Sequence, residues 1–310
     1  MIVNPKSAAG STERKWAEAA SDLRTHFGPF SVAFTKAAGD GMCLARRGVE
    51  AGRKFIIACG GDGTINEVAN GILQMESDVE MGILPSGTGG DFRRTINMPQ
   101  NSRDAAQALR KGHTRKVDVG RVTFQDFNDR TVSRYFLNVS SFGLAASIIE
   151  RVKGSSSLSW VPIDVMRGKA SFALSTLQEL VGLNYSTVKV KIDDGKEHRL
   201  NTINFCVANA RFFGGGMKIA PEADITDGFF DVVNIGDIGT AKVILNGYTL
   251  YRGTHFDLPE VKFKRARRIE ATPASPGFEI RLETDGELPG KLPAIFEVVP
   301  AALNLRIPSA

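Results

Sequence analysis

In its first third the chain alternates between two hydrophobic periods. Ile2-Val3 is a short strand signal before a Lys/Ser/Gly loop, a helical period covers 12–27, and a strand at 30–34 precedes a helix over 40–51. Apolar runs at 55–59 and 81–84 read as buried strands, separated by a helix carrying Val68, Ala69, Ile72 and Leu73. Strand and helix in alternation predict a doubly wound, largely parallel sheet with helices on both faces.

From about Lys116 the pattern changes to short strands punctuated by turn residues, at 117–122, 133–139, 187–192, 203–208, 229–235 and 278–283. These predict an antiparallel β domain. Within it 162–182 and 242–251 read as helices and 153–159 as a loop. Phe278, Ile280 and Leu282 alternate with Glu279, Arg281 and Glu283, the pattern of a half-buried strand. A last apolar strand at 302–307 could return to either domain.

A length of 310 residues suits two domains, and 42% hydrophobic with 24% charged residues is ordinary soluble composition. No apolar run of membrane-spanning length and no signal peptide is expected, so the chain reads as cytoplasmic. The first strand begins at once, which leaves open that a few residues precede it. Cys43, Cys59 and Cys206 are odd in number and widely spaced, as reduced thiols would be. The four histidines are scattered without metal-ligand spacing, so nothing in the sequence supports zinc chemistry or a histidine-based triad. A net charge of +5 fits an anionic partner, whether ATP, an anionic membrane or nucleic acid.

Chemistry concentrates at strand ends. The strand at 55–59 runs into Gly60-Gly61-Asp62-Gly63-Thr64-Ile65-Asn66-Glu67 and then a helix, leaving backbone N–H groups at a helix N-terminus where an anion is favoured. Asp62 is explained by a divalent cation travelling with a polyphosphate, or else as a cap of its own helix. No G-x-x-x-x-G-K-[ST] occurs, the stretch 286–291 being one residue short, and Asn66 replaces the last glycine of a dinucleotide fingerprint. A second such loop, Pro85-Ser86-Gly87-Thr88-Gly89-Gly90-Asp91-Phe92, follows the next strand, so both would open at the carboxyl edge of a parallel sheet.

These loops, with Asn4-Pro5-Lys6-Ser7-Ala8-Ala9-Gly10, Ala220-Pro221 followed by Asp227-Gly228, and Asp285-Gly286-Glu287, occur in an order that resembles the diacylglycerol kinase catalytic family, which includes bacterial lipid kinases and the sphingosine and ceramide kinases. Gly90 stands where that family usually has asparagine. The resemblance implies a nucleotide-binding α/β domain over 1–116 and a β-sandwich-like lipid-substrate domain over 117–300, with 301–310 returning to the first. It implies an active site in the interdomain cleft. Its activity would be transfer of the γ-phosphoryl group of ATP, with Mg2+, to a lipid hydroxyl.

By the same resemblance Asn4, Thr35, Gly60, Gly61, Asp62, Gly63, Thr64, Asn66 and Thr88 attend the nucleotide and its phosphates. Glu287 is the proton acceptor, with Asp285 beside it, and Asp227 binds a structural magnesium with main-chain help from Asp224 and Phe229. Read without the family, Asp285-Gly286 is a hairpin turn and the acids at 222–227 a solvated loop. The run Phe212-Phe213-Gly214-Gly215-Gly216-Met217 either closes over an acyl chain or forms a bulged turn. Lys262-Phe263-Lys264-Arg265-Ala266-Arg267-Arg268 is either a strand with a solvated face or a contact for anionic lipid. The partners implied are ATP, a lipid and, peripherally, an anionic membrane surface; nucleic acid is not among them, and a homodimer is left open. The alternatives are an NAD kinase-like enzyme with a soluble acceptor, and a nucleotide-binding regulatory module without turnover.

Overall fold

The run Phe55–Gly60 forms β3, buried along nearly its whole length as a central parallel strand requires. It lies between β1 (Ile2–Val3) and β4 (Glu80–Pro85), with β2 (Ala33–Phe34) beyond β1, all parallel. The computed structural model describes residues 1–86, 90–154, 185–275 and 277–309. These strands belong to the first of two compact units, which comprises Met1–Val119, Gly214–Gly216 and Pro300–Ala310. In it Asn304 and Leu305, from the end of β15 (Glu287–Ile307), pair in parallel with Glu80 and Met81 of β4. Arg306 grips the Glu80 carboxylate there with two nitrogens.

Helices α1 (Ser11–Phe27), α2 (Asp40–Glu50), α3 (Asp62–Leu73), α4 (Asp91–Thr95) and α5 (Ser102–Lys111) complete this unit. On α3, Ile65, Val68, Ala69 and Ile72 are buried at helical spacing. The start of α2 and the middle of α3 approach closely. A Cβ on Gly41 would stand 2.6 Å from the Glu67 carboxylate, and one on Gly71 2.7 Å from the Ala45 side chain.

The second unit, Gly120–Phe213 with Met217–Val299, consists among its described residues largely of antiparallel strands. One ladder runs β12 (Val261–Ala266), β11 (Phe230–Ile235), β10 (Asn204–Ala208), β7 (Val139–Gly143) and β14 (Arg281–Thr284). A second set pairs the first half of β15 with β13 (Arg268–Pro273), β13 with β8 (Ser186–Ile192), and β8 with β9 (Glu197–Thr202). β6 (Thr131–Phe136) pairs with the latter half of β5 (His113–Gln125). Their inner faces share one apolar core, in which Phe142 stacks on Phe205 at 5.0 Å and Phe136 on Phe230 at 5.5 Å. Two helices are described, α6 (Leu144–Gly154) and α7 (Thr240–Arg252).

Several expectations change. The strand expected over 133–139 is two, β6 and β7, because the N–H groups of Leu137, Asn138 and Val139 turn to the carboxylate of Asp285. The strand expected over 278–283 is only Arg281–Thr284; Phe278 is 73% exposed, while Glu283 is buried. The strand expected over 30–34 shortens to Ala33–Phe34, and the loop expected over 153–159 begins as helix, through Gly154. The remainder of that loop and the helix over 162–182 lie outside the described residues. Helix α5 escaped the hydropathy pattern because its buried side chains are mostly alanine, Ala105 and Ala106 beside Leu109.

Candidate functional site

In the first unit the candidate residues gather at the carboxyl ends of β1 to β4. Asn4 follows β1: its N–H reaches Cys59 O at 2.9 Å, and its side-chain amide donates to Thr64 Oγ1 at 3.0 Å. Thr35 follows β2 and is buried, its N–H on Val3 O at 2.9 Å. Gly60 ends β3 against Thr64, where a Cβ would come within 2.6 Å of the hydroxyl, so only glycine fits. Gly61 begins α3 with no side-chain cap, and the space around Gly63 is open. The N-cap of α3 is thus a glycine, with no side chain of its own to close the first N–H groups, the arrangement that suits an anion.

Asp62 does not cap its own helix. Its two oxygens accept the N–H groups of Asp91 and Phe92, each at 3.1 Å, at the start of α4. The two glycine loops are therefore tied together by one carboxylate. Asp91 is buried, accepts the Gly215 N–H at 2.8 Å and pairs with Arg94 at 2.8 Å. Burial pushes its pKa up against the Gly215 hydrogen bond, and the charge of Asp62 adds to the rise. Phe213 and Met217 exchange backbone hydrogen bonds at 3.0 Å, so Gly214, Gly215 and Gly216 form a tight turn between them.

Asn66 receives the side-chain amide of Asn70 at its carbonyl and at Oδ1, 3.0 and 3.1 Å, so its side chain runs along the helix. Glu67 accepts the N–H groups of Gly39 and Gly41 at 2.7 and 2.9 Å and closes the start of α2. Gly90 has φ 63°, a left-handed conformation that asparagine also tolerates. Thr88 lies outside the described residues. A cluster that hydropathy does not reveal joins three hydroxyls: Ser7 to Thr12 and Thr12 to Ser86, each at 2.5 Å. Its only sequence signal is that Ser7 and Ser86 both lie in loops directly after strands.

In the second unit Asp285 and Gly286, with φ 46° and 85°, form a two-residue hairpin between Thr284 and Glu287. Asp285 accepts three backbone N–H groups, Leu137 at 2.8 Å, Asn138 at 2.9 Å and Val139 at 3.1 Å. Its carboxylate clamps this turn to the β6–β7 connection, a structural task that the expectation of a second acid beside Glu287 did not include. Glu283, expected on an exposed face, is buried and accepts Ser141 Oγ and the Gly286 N–H, both at 2.6 Å. Glu287 stands exposed as the first residue of β15, held by a turn that two buried or clamped carboxylates define.

The acidic turn at 222–229 is tied to the basic run. Asp227 accepts the Phe229 N–H at 2.9 Å and pairs with Arg265, while Asp224 accepts both the N–H and hydroxyl of Thr226. Arg265 and Arg267 lie over the Phe229 ring at 4.6 and 4.5 Å. Asp231 beneath them has its pKa pushed up to about 6 by burial, against Arg265 and with Asp227 and Glu222. Arg268 pairs with Glu270 and Glu297. Among the described residues no three or more His, Cys, Asp or Glu side chains cluster as metal ligands.

A parallel α/β unit with a glycine loop at the carboxyl end of β3 is thus followed along the chain by an antiparallel β unit. The diacylglycerol kinase catalytic domain model matches residues 1–122, and the YegS C-terminal NAD kinase beta sandwich-like domain model matches residues 142–307. The chain belongs to the diacylglycerol kinase catalytic family, in the form that carries the YegS-type C-terminal domain. It is 27% identical to a diacylglycerol kinase of Staphylococcus epidermidis over 96% of this chain and 87% of that protein. It is also 27% identical to the diacylglycerol kinase of Bacillus subtilis, over 96% of this chain and 91% of that one. A crystal structure from Bacillus anthracis, assigned as a candidate diacylglycerol kinase, superposes with a TM-score of 0.75 at 25% identity, covering 99% of this chain and 93% of that chain. Among the described residues no helix is long and apolar enough to cross a membrane.

Proposed function

We propose that this protein is an ATP-dependent lipid kinase that acts on a diacylglycerol-like or a sphingoid- or ceramide-like hydroxyl. The observation that carries the reading is the open N-terminus of α3, with its glycines at the carboxyl end of β3 and Asp62 binding it to the start of α4. Backbone N–H groups and a helix dipole there hold the phosphates without a side-chain cation. Asn4, Thr35, Thr64 and Thr88 take the nucleotide side, and Asn66 stands one turn further along α3.

In the reaction the bond between the γ-phosphorus and the β–γ bridging oxygen breaks and a bond from the acceptor oxygen to phosphorus forms. ADP leaves, and the acceptor's proton passes to Glu287. An alkyl hydroxyl is a poor acid, so the glutamate takes the proton as the phosphoryl group transfers. Asp285 and Glu283 position that glutamate through the turn. Asp62 fits a role toward Mg2+ through bound water, since each of its oxygens gives only one lone pair to an N–H. Magnesium, when bound, neutralises phosphate oxygens. Asp227, with the main-chain carbonyls of Asp224 and Phe229, is the candidate seat of a second, structural magnesium in competition with Arg265.

The enzyme would work in the cytoplasm and meet its acceptor as a peripheral membrane protein. The kinship of its C-terminal domain to NAD kinase sandwiches keeps a soluble acceptor in the test. Transfer of labelled phosphate from ATP should be measured across diacylglycerol, sphingosine, ceramide and NAD. A labelled lipid is the expected product. Label in NADP alone would overturn the lipid acceptor, and no label in any product would overturn the enzyme.

A further inference from the structure

The helix Thr240–Arg252 has no part in the chemistry above, yet it carries its apolar residues on the wrong side. Thr249 is buried and Leu250 packs on a core cluster, while Ile244, Leu245, Tyr248 and Tyr251 are 53, 73, 55 and 55% exposed. At 100° per residue positions 244, 245, 248 and 251 fall on one outward stripe. A helix on a soluble protein normally turns such a stripe to the core and its charges to water. The sequence of α7 holds two cations, Lys242 and Arg252, and no carboxylate. Lys242 is paired with Glu260 at 2.6 Å. Arg252 lies over the Tyr248 ring at 5.3 Å, and Lys218, whose N–H binds Leu250 O at 2.7 Å, runs beside the end of the helix.

We propose that α7 docks the protein on an anionic bilayer, lying in the plane of the surface with Ile244, Leu245, Tyr248 and Tyr251 at the boundary between headgroups and acyl chains. Aliphatic side chains flanked by tyrosines and an arginine are the composition of an interfacial helix. Charge complementarity favours lipid over a second copy of the chain. Two copies of this face would oppose arginine to arginine with no helix carboxylate between them, whereas anionic headgroups supply the missing charge. Four half-exposed side chains also fall well short of the roughly 800 Å² per partner that a stable dimer buries. The basic run at 262–268 is a weaker candidate, because Arg265 and Arg268 are engaged with Asp227, Asp231, Glu270 and Glu297. The choice of a bilayer as occupant rests on the lipid-kinase reading.

The test is flotation of the full chain with phosphatidylcholine vesicles with and without phosphatidylglycerol. I244S/L245S should lower the partition constant roughly ten- to a hundredfold, the scale of withdrawing two aliphatic side chains from an apolar phase. Arg252→Glu should weaken binding to anionic vesicles and leave binding to neutral ones unchanged. Should the double variant melt early, Leu245→Trp decides. Its added emission should shift to the blue on vesicles and be quenched by brominated acyl chains. Parent-like partition of a folded I244S/L245S, or a tryptophan at 245 that stays in water, would overturn the proposal. So would a dimeric parent whose double variant becomes monomeric with vesicle binding intact. A parent that floats with anionic vesicles but phosphorylates no lipid would remove the lipid-kinase reading and leave the docking helix standing.

Discussion

Replacing Asp285 by asparagine separates a structural carboxylate from a chemical one. In the parent, Oδ1 accepts the N–H groups of Asn138 and Val139 and Oδ2 accepts that of Leu137, donors whose residues are 5, 1 and 2% exposed. Asparagine keeps one acceptor oxygen, suits the left-handed φ of 46°, and sets an amide N–H2 against the Leu137 N–H. Losing one charge-assisted bond and leaving one buried donor unpaired costs about 2–3 kcal/mol. Alanine leaves all three donors unpaired in a left-handed conformation it dislikes, for about 4–7 kcal/mol. At about 2–4 °C per kcal/mol for a unit of this size, Asp285→Asn should melt about 4–12 °C early and Asp285→Ala earlier still. Thermal unfolding by far-UV circular dichroism, with turnover measured well below the midpoint, reads both effects. Two variants that melt with the parent while turnover collapses would show that Asp285 acts on the reacting groups and that the clamp contributes nothing.

Glu287→Gln, at an exposed position, should melt and bind ATP like the parent while turnover falls at least roughly a hundredfold; near-parent turnover would remove the base. Asp62→Asn should blunt the magnesium dependence of transfer, and a magnesium titration superimposing on the parent's would leave Asp62 only as the link between α3 and α4. Asp231 has a folded pKa of about 6 against an ordinary 3.8, so its proton stabilises the fold below that range and is lost as pH rises through about 6. Asp231→Asn should accordingly gain on the parent from about pH 4 to about pH 6 and keep that gain above it, and magnesium bound at Asp227 should shrink the gain. Urea midpoints whose difference stays constant over that range would contradict the assignment.

The local pattern determined much. An unbroken apolar run at Phe55–Gly60, too short for a helix and ended by glycines, reads as a strand buried on both faces, and those glycines leave helix N–H groups uncovered. Strand-helix alternation and then short punctuated strands gave the parallel α/β half and the antiparallel half without any contact being known. The order of the glycine and carboxylate motifs carried the family. Partners that lie far along the chain were decided only by tertiary structure. Asp62 reads in sequence as a partner of a phosphate-borne cation or as a cap on its own helix, yet its oxygens go to N–H groups 29 and 30 residues away. Asp285 and Glu283 read as a surface turn and an exposed strand position. They became a clamp and a buried prop because strands some 140 residues earlier bring Leu137–Val139 and Ser141 against them. The period of α7 was legible, but the face it turns outward was not. A hydrophobic stripe states that something apolar must be covered, and only the packing of the rest of the chain determines whether the protein itself covers it.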